Sequence, residues 1–503
     1  MVESMALALE RLFEAQSLGM LVAGVVLGTT FGALPGLGSI VALAVALPFT
    51  FGMDPMAAMY LYSGIISSVA FGGSIPAILL NTPGTPPNAA TCFDGYPMAQ
   101  RGEGARAISV SAMACLIGSI FGAAVTLSLL PAVRPIVYAF GPPEFFGLVV
   151  FGLVMIAFAA RANMVKGLIG GGIGLLLSMV GYSQMYDAYR YTMGSNYLWD
   201  GIPLVPFVVG LFAVSELINY ASRGGITVSR RAGQSSIDWH GQLLAGVKDV
   251  LGRPVQALRA SAIGAVIGII PGLGGSVAAF LSYFVGMQRT KSPETYGKGN
   301  VEGVLAAETA NDAKDGGALL PTVAFGLPGS PDMAILLGAL ILHGLQPGPE
   351  MLRDHLDLVY ALLFGIILAQ VLTSALGLAA TPWIARLSLL PNRWIAPFVL
   401  VLVFVGTYMV RTNILDVGMA ITAGVFGYLM RRYGFPLITI AIGFILGPLA
   451  ERSYIQSMQI SDGDLAIFVT RPIALALLSL ATLSFAAPMI AAFHSNHRRR
   501  VTA

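Results

Sequence analysis

The sequence predicts an all-α polytopic membrane protein. It has two inverted repeats, about 11–12 spans, and broken helices or re-entrant hairpins inside the membrane. Three observations predict this class. Of 503 residues, 56% are hydrophobic and 11% charged, whereas a soluble domain carries about 25% charged residues. Apolar runs recur at the roughly 20-residue length that crosses a bilayer as a helix. And the helix-breaking loops occur twice in the same order. Gly32-Ala33-Leu34-Pro35-Gly36-Leu37-Gly38 returns as Gly268-Ile269-Ile270-Pro271-Gly272-Leu273-Gly274. Gly72-Gly73 leads to Thr82-Pro83-Gly84-Thr85-Pro86, and Gly316-Gly317 leads to Leu327-Pro328-Gly329-Ser330-Pro331. Pro-Gly breaks at matching points of two apolar halves mark transporters whose site lies at the repeat interface.

The elements follow in order. Residues 1–17 hold Glu3, Glu10, Arg11 and Glu14 among apolar neighbours, an amphipathic interfacial helix with no cleavable signal peptide. Apolar runs lie near 18–48 (interrupted by the first loop), 55–71, 106–131, 143–160, 163–182 and 202–220. In the second half they lie near 259–286 (again interrupted), 302–313 (short), 355–382, 394–410, 413–430, 434–450 and 467–493. The stretches 72–101 and 316–349 are apolar but rich in Gly and Pro, so they read as hairpins or broken helices. Irregular backbone at membrane depth survives only where protein or a water-filled cavity satisfies it.

Further landmarks support the repeat. Arg161-Ala162-Asn163 matches Arg411-Thr412-Asn413, and Gly201-Ile202-Pro203-Leu204 matches Gly434-Phe435-Pro436-Leu437. The Gly-Gly pairs, 244 positions apart, set Asn311 and Asp312 opposite Ser67 and Ser68. The organisation is therefore a first repeat at 1–220, a linker at 221–258, and a second repeat at 259–503 that includes an extra C-terminal helix. In the linker, Trp239, Leu243, Val247, Val250 and Leu251 recur at helical spacing beside Lys248 and Arg253, an amphipathic cytoplasmic helix bracing the repeats.

Basic residues concentrate on the cytoplasmic side of membrane proteins. Arg498-Arg499-Arg500, Arg431-Arg432, Arg223, Arg230 and Arg231 are placed there. Counting spans back then sets Arg161 and Asn163 inside and Asn413 outside, so the halves are inverted and the amino terminus is outside. Arg134 is an exception to the scheme.

Net charge is +3, with no basic stripe interleaved with aromatics, so no nucleic-acid partner is expected. Cys92 and Cys115 stand in or beside apolar runs and indicate neither a disulfide framework nor a zinc site. The five histidines are scattered, with His494 and His497 in the basic tail. Ser461-Asp462-Gly463-Asp464 is the only lure toward an intramembrane enzyme. It lies in a polar stretch without a second matching aspartate motif, so the chain is not read as an enzyme.

Three groups of residues could bind. Thr85-Pro86 and Ser330-Pro331 each read as a helix start, an N-cap followed by proline at the first helical position. Such a start leaves unpaired N–H groups and about half a positive charge, and two of them would cradle carboxylates. Gly84 and Gly329 let the backbone turn and approach, and Asn81 and Thr82 add donors. The Pro-Gly-Leu-Gly loops expose carbonyls at Gly36, Gly38, Gly272 and Gly274, followed by the hydroxyls of Ser39 and Ser276. These are candidate ligands for a hard cation such as Na⁺, although glycine there serves close helix packing equally well. Finally Glu308, Asn311, Asp312 and Asp315 recur on one helical face, beside Lys314. Intramembrane carboxylates are functional candidates by default, here for Na⁺ or a proton.

The run Gly72-Gly73-Ser74-Ile75-Pro76-Ala77-Ile78-Leu79-Leu80-Asn81-Thr82-Pro83-Gly84-Thr85-Pro86, continuing to Asp94-Gly95-Tyr96-Pro97, resembles the signature of the TctA family. That family is the large permease subunit of tripartite tricarboxylate transporters. The second signature is similar too: Pro271-Gly272-Leu273-Gly274, Glu308 to Asn311, Gly326-Leu327-Pro328-Gly329-Ser330-Pro331 and Pro347-Gly348-Pro349. The resemblance implies uptake of carboxylates such as citrate across the bacterial inner membrane, driven by a Na⁺ or H⁺ gradient. It implies a small TctB-type membrane subunit and a periplasmic TctC-type binding protein as partners. No cofactor is implied beyond a possible coupling Na⁺. It carries substrate contact onto Asn81, Thr82, Gly84, Thr85, Gly329 and Ser330. Asp312 stands where a second Asn is expected, and Pro76 where a small polar residue is common. The rival readings are a stand-alone carboxylate transporter or channel and, from another class, the intramembrane enzyme.

Overall fold

The chain was analysed as a computed structural model, which describes residues 1–159, 164–183, 187–222, 239–387 and 392–485. The first half opens with α1 (Val2–Leu12), then α2 (Ala15–Ala33) and α3 (Gly38–Ala46) on either side of the first Pro-Gly loop. There follow α4 (Pro55–Leu80), α5 (Ala89–Gln100), the long α6 (Gly104–Tyr138), α7 (Pro142–Ala159) and α8 (Met164–Ser178). The half closes with α9 (Leu204–Val209) and α10 (Ser215–Ser222), joined by a π-helical turn at Gly210–Val214. After α11 (Trp239–Leu251) the order repeats: α12 (Pro254–Ile269), α13 (Gly274–Arg289), α14 (Val301–Phe325), α15 (Pro331–Leu342) and the short α16 (Pro349–Arg353). Then come α17 (Leu356–Leu387), α18 (Asn392–Arg411), α19 (Ile414–Arg432), α20 (Leu437–Ile460) and the short α21 (Ile467–Thr470). A two-stranded hairpin, Gly181–Ser183 against Ala188–Arg190, interrupts the helical pattern.

This is an all-α polytopic membrane protein. Among the described residues, 6 helices are long and apolar enough to cross a membrane alone, and most of the others are shorter apolar helices. The span count of the sequence reading therefore resolves into whole helices and broken pairs. The Arg161–Asn163 landmark, the linker arginines Arg223, Arg230 and Arg231, and the tail with His494, His497 and Arg498–Arg500 lie outside the described residues.

Two expected boundaries are corrected. The runs ending near 71 and 313 are not ends: α4 continues to Leu80 through an internal Pro76, and α14 continues to Phe325 through an internal Pro321. The Gly-Gly pairs do not break these helices. They bring backbones together, because a Cβ on Gly72 would press on the Thr29 carbonyl and one on Gly317 would overlap the Ala265 carbonyl. Small residues allow this approach where helices pack in a membrane. The equivalence is thus Gly72 with Gly317, one position away from the Gly-Gly alignment. In that register Asp312 falls opposite Ser67, Glu308 opposite Ser63, and Asn311 opposite Ile66.

The halves exchange helices. α6 of the first half lies on α14 of the second, where Gly118 and Gly122 meet the Thr309 and Ala313 carbonyls. α17 of the second half lies on α4 of the first, where Gly365 meets Ser63 and Gly377 meets Phe71. α4 and α14 are buried along nearly their whole length. α11 runs along the start of α6, with Arg106 Nε on Asp249 at 2.6 Å and Ser109 Oγ donating to the Leu243 carbonyl at 2.7 Å. Asp94, fully buried on α5, accepts from the Tyr283 hydroxyl at 2.8 Å and the backbone N–H groups of Gly299 and Asn300 at 2.8 and 2.7 Å. It ties α5 to the entry of α14.

Candidate functional site

The two Pro-Gly-Leu-Gly loops break their helices with paired left-handed glycines: Gly36 (φ 90°) and Gly38 (φ 60°), then Gly272 (φ 84°) and Gly274 (φ 68°). An L side chain adopts that backbone only under strain. Helices α4 and α14 end alike on a left-handed cap, Asn81 (φ 54°) in one and Gly326 (φ 69°) in the other. The chain then turns back through Gly84 or Gly329. A Cβ on Gly84 would overlap the Gly32 carbonyl, and one on Gly329 would press against the Gly268 carbonyl and Ala318. These glycines pack each hairpin tip onto the broken helix of its own half.

Both tips open helix starts onto one cavity of about 820 Å³. Thr85 and Pro86 line one side of it, Ser330 and Pro331 the other. Thr85 is an N-cap in extended backbone with a capping box, its N–H donating to Asn88 Oδ1 at 3.3 Å and its hydroxyl donating to the same atom. Ser330 is the N-cap of α15, yet its hydroxyl caps nothing. It is 2% exposed, and its Oγ has no hydrogen-bond partner. A buried hydroxyl on a cavity wall with no protein partner is an open donor for a ligand.

The loops complete the cavity by crossing between halves. Ser39, after the first loop, donates to Asp332 on α15. Gly275, after the second, packs on Pro87, where a Cβ would stand 2.9 Å from Pro87 Cγ. Asp332 in turn accepts from Lys314 Nζ at 3.2 Å, and Lys314 also bonds Asp315. Lys314 and Asp315 are almost fully buried. This triad sums to one negative charge, so an organic anion entering the cavity meets a wall that attracts cations as well.

Of the residues singled out from sequence, Thr85, Ser330, Ser39, Gly272, Gly274 and Ser276 line the cavity, as does Asn311. Gly36, Gly38, Gly84 and Gly329 stand behind the lining as turn and packing residues. Asn81 is exposed as the α4 cap, and the Thr82 hydroxyl is turned to the Leu80 carbonyl at 3.2 Å. Glu308 and Asp312 leave the expected common face: they point at α6, while Asn311, Lys314 and Asp315 point at the cavity. Four positions at i, i+3, i+4 and i+7 form a stripe wide enough to meet two neighbours. Asp332 was missed. The signal was present, a carboxylate two residues after Ser330 in the first turn of a helix, where it is electrostatically favoured. The fully buried Asn88 was missed as well, because its role depends on contacts with the other half.

A family model described as "Tripartite tricarboxylate transporter TctA family" matches residues 18–442. Two proteins of Agrobacterium vitis are similar to the chain. One, described as an uncharacterized 52.8 kDa protein in the TAR-I ttuC' 3' region, is 34% identical over 461 residues, 91% of this chain and 90% of its own length. The other, described as an uncharacterized protein in the TAR-II ttuC' 3' region, is 34% identical over 217 residues, 43% of this chain and 90% of its own length. No solved structure matches the chain.

Proposed function

The chain belongs to the tripartite tricarboxylate transporter TctA family, and from that premise we propose that it is the large permease subunit of a binding-protein-dependent importer of organic di- or tricarboxylates. One observation carries the reading. Two helix starts, at Thr85 and Ser330, converge on a single cavity, and the Ser330 hydroxyl there is buried and unpartnered. Helix starts bind carboxylates through free N–H groups and the positive end of the dipole. The negative triad of Lys314, Asp315 and Asp332, on the same wall as Ser330, supports coupled entry of a cation. Alternating access then moves one half against the other around the cavity.

The partners of this proposal are a small membrane subunit of TctB type and a secreted binding protein of TctC type, and its location is the bacterial inner membrane. The inversion of the halves is part of it, supported by the reciprocal packing of α6 on α14 and α17 on α4. The Ser461–Asp464 stretch is a largely exposed turn, and the family is one of transporters, so no enzymatic activity is proposed. Uptake of labelled di- and tricarboxylates into proteoliposomes, with and without the two partner proteins, tests the reading. Gradient-dependent uptake that requires the binding protein is the expected result. Uptake independent of it favours a stand-alone transporter, and no carboxylate uptake under any gradient overturns the proposal. Asn163→Cys and Asn413→Cys should label from opposite sides of the membrane; labelling from one side removes the inversion.

A further inference from the structure

On the far side of α14 from the cavity lies a second buried polar pocket. Glu308 and Asp312, one helical turn apart, face Cys115 and Ser119, one turn apart on α6. Cys115 Sγ donates to Glu308 Oε2 at 3.4 Å, and Ser119 Oγ donates to Asp312 Oδ1 at 3.3 Å. Glu308 Oε1 also accepts Asn88 Nδ2 at 3.0 Å and the Thr91 hydroxyl. Asp312 Oδ2 has no partner at all, although Asp312 is 0% exposed. Ligand atoms of Cys115, Glu308 and Asp312 lie within 4.8 Å of one another.

We propose that Glu308 and Asp312, with Cys115 and Ser119, form a site for a dehydrated monovalent cation of Na⁺ size, separate from the carboxylate cavity. Glu308 already accepts three hydrogen bonds. Asp312 has one donor and a bare, fully buried oxygen, so a positive partner at that oxygen is what the pocket lacks. Lys314 of the same helix does not supply it, because it is bonded to Asp315 and Asp332 at the cavity. The spacing fits: a cation with oxygens at about 2.3–2.6 Å places opposite ligands nearly 5 Å apart. The first half has serines, Ser63 and Ser67, at the equivalent positions, and both donate to backbone carbonyls of α17. Only the second half builds this pocket. Asn88 joins it to the cavity, since its Nδ2 is on Glu308 and its Oδ1 holds the Thr85 helix start. A coupling role for the site rests on the transport reading; cation binding itself does not.

The test uses the purified full chain without carboxylate or partner proteins, with NaCl exchanged for KCl at constant ionic strength. A ligand that binds only the folded state raises the melting temperature with its concentration, and Na⁺ is expected to do so where K⁺ does not. Asp312→Asn keeps the shape and removes the bare charge. It should melt no lower than the unaltered protein in K⁺, and its half-saturating Na⁺ should rise by about a hundredfold or more. Glu308→Gln should move Na⁺ in the same direction. Cys115→Ser should keep the Na⁺ response and lose displacement by Cd²⁺, which prefers a thiolate. The proposal is overturned if Na⁺ leaves melting unchanged, if the response survives in both carboxamide variants, or if acidification replaces it. Carboxylate uptake decides the transport reading separately: its absence with Na⁺ binding intact would reject that reading and leave the cation site standing.

Discussion

The cavity has two walls built from equivalent positions of the two halves, and they differ in charge. On the first wall stand Ile66, Val69, Ala70 and Pro87; on the second, at the equivalent positions, Asn311, Lys314, Asp315 and Asp332. The backbone scaffold is the same on both sides: a left-handed cap, a Pro-Gly turn, and a helix start at Thr85 or Ser330. Even the crossing contacts correspond, Ser39 with Asp332 and Gly275 with Pro87, one a hydrogen bond and the other a packing contact. Backbone geometry was duplicated, and side-chain chemistry was then divided. The apolar wall packs. The charged wall carries an ion pair, and an ion pair in a low-dielectric site is sensitive to every added charge.

Breaking that division at its strongest point should have the largest effect. Lys314→Met leaves the buried Asp315 and the half-buried Asp332 without a cation, and loss of one partner of a buried pair costs about 3–5 kcal/mol. Thermal or denaturant unfolding in detergent reads this directly. Copying the first wall instead, with Lys314→Val, Asp315→Ala and Asp332→Pro together, removes the charges as a set. Stability should then return close to that of the parent while carboxylate uptake is lost. A triple variant as unstable as Lys314→Met would show that the charged wall is structural.

The shared scaffold predicts equal damage on both sides. Gly84→Ala and Gly329→Ala each push a Cβ into backbone of the same half, and such overpacking costs about 1–3 kcal/mol. A large difference between their melting temperatures would break the equivalence of the tips. The helix starts should part company at the caps. Ser330→Ala removes a hydroxyl that caps nothing, so stability should hardly change. If that hydroxyl meets a carboxylate, a hydrogen bond to a charged group is worth about 1.5–3 kcal/mol, and binding on monodisperse protein should weaken roughly ten- to a hundredfold. Thr85→Ala should instead cost about 1 kcal/mol of stability, because the Thr85 hydroxyl is bonded to the buried Asn88. Ile66→Val on the apolar wall should cost about 0.5–1.5 kcal/mol of stability and have no effect on substrate affinity. An affinity change there would mean that the apolar wall recognises substrate too.

The sequence by itself determined the membrane class and the two helix starts. Each is a local property. Apolar length reports bilayer crossing, and Pro-Gly followed by Thr-Pro or Ser-Pro reports a turn and a cap whatever surrounds it. The left-handed Gly36, Gly38, Gly272 and Gly274 were legible for the same reason. Tertiary structure alone decided where helical faces point. Glu308 and Asp312 share a stripe with Asn311 and Asp315, but α6 takes the first pair and the cavity takes the second. It also decided that Gly72-Gly73 and Gly316-Gly317 pack helices rather than end them, since the neighbours that leave no room for a side chain there, the Thr29 carbonyl and Asn88 at the first pair and Gly122 and the Ala265 carbonyl at the second, come from distant parts of the chain. Ser39 meeting Asp332, and Asn88 meeting Glu308, join residues 293 and 220 positions apart. Propensity acts within a few residues, whereas these contacts exist only once the halves have exchanged α6 and α17 and closed around the cavity.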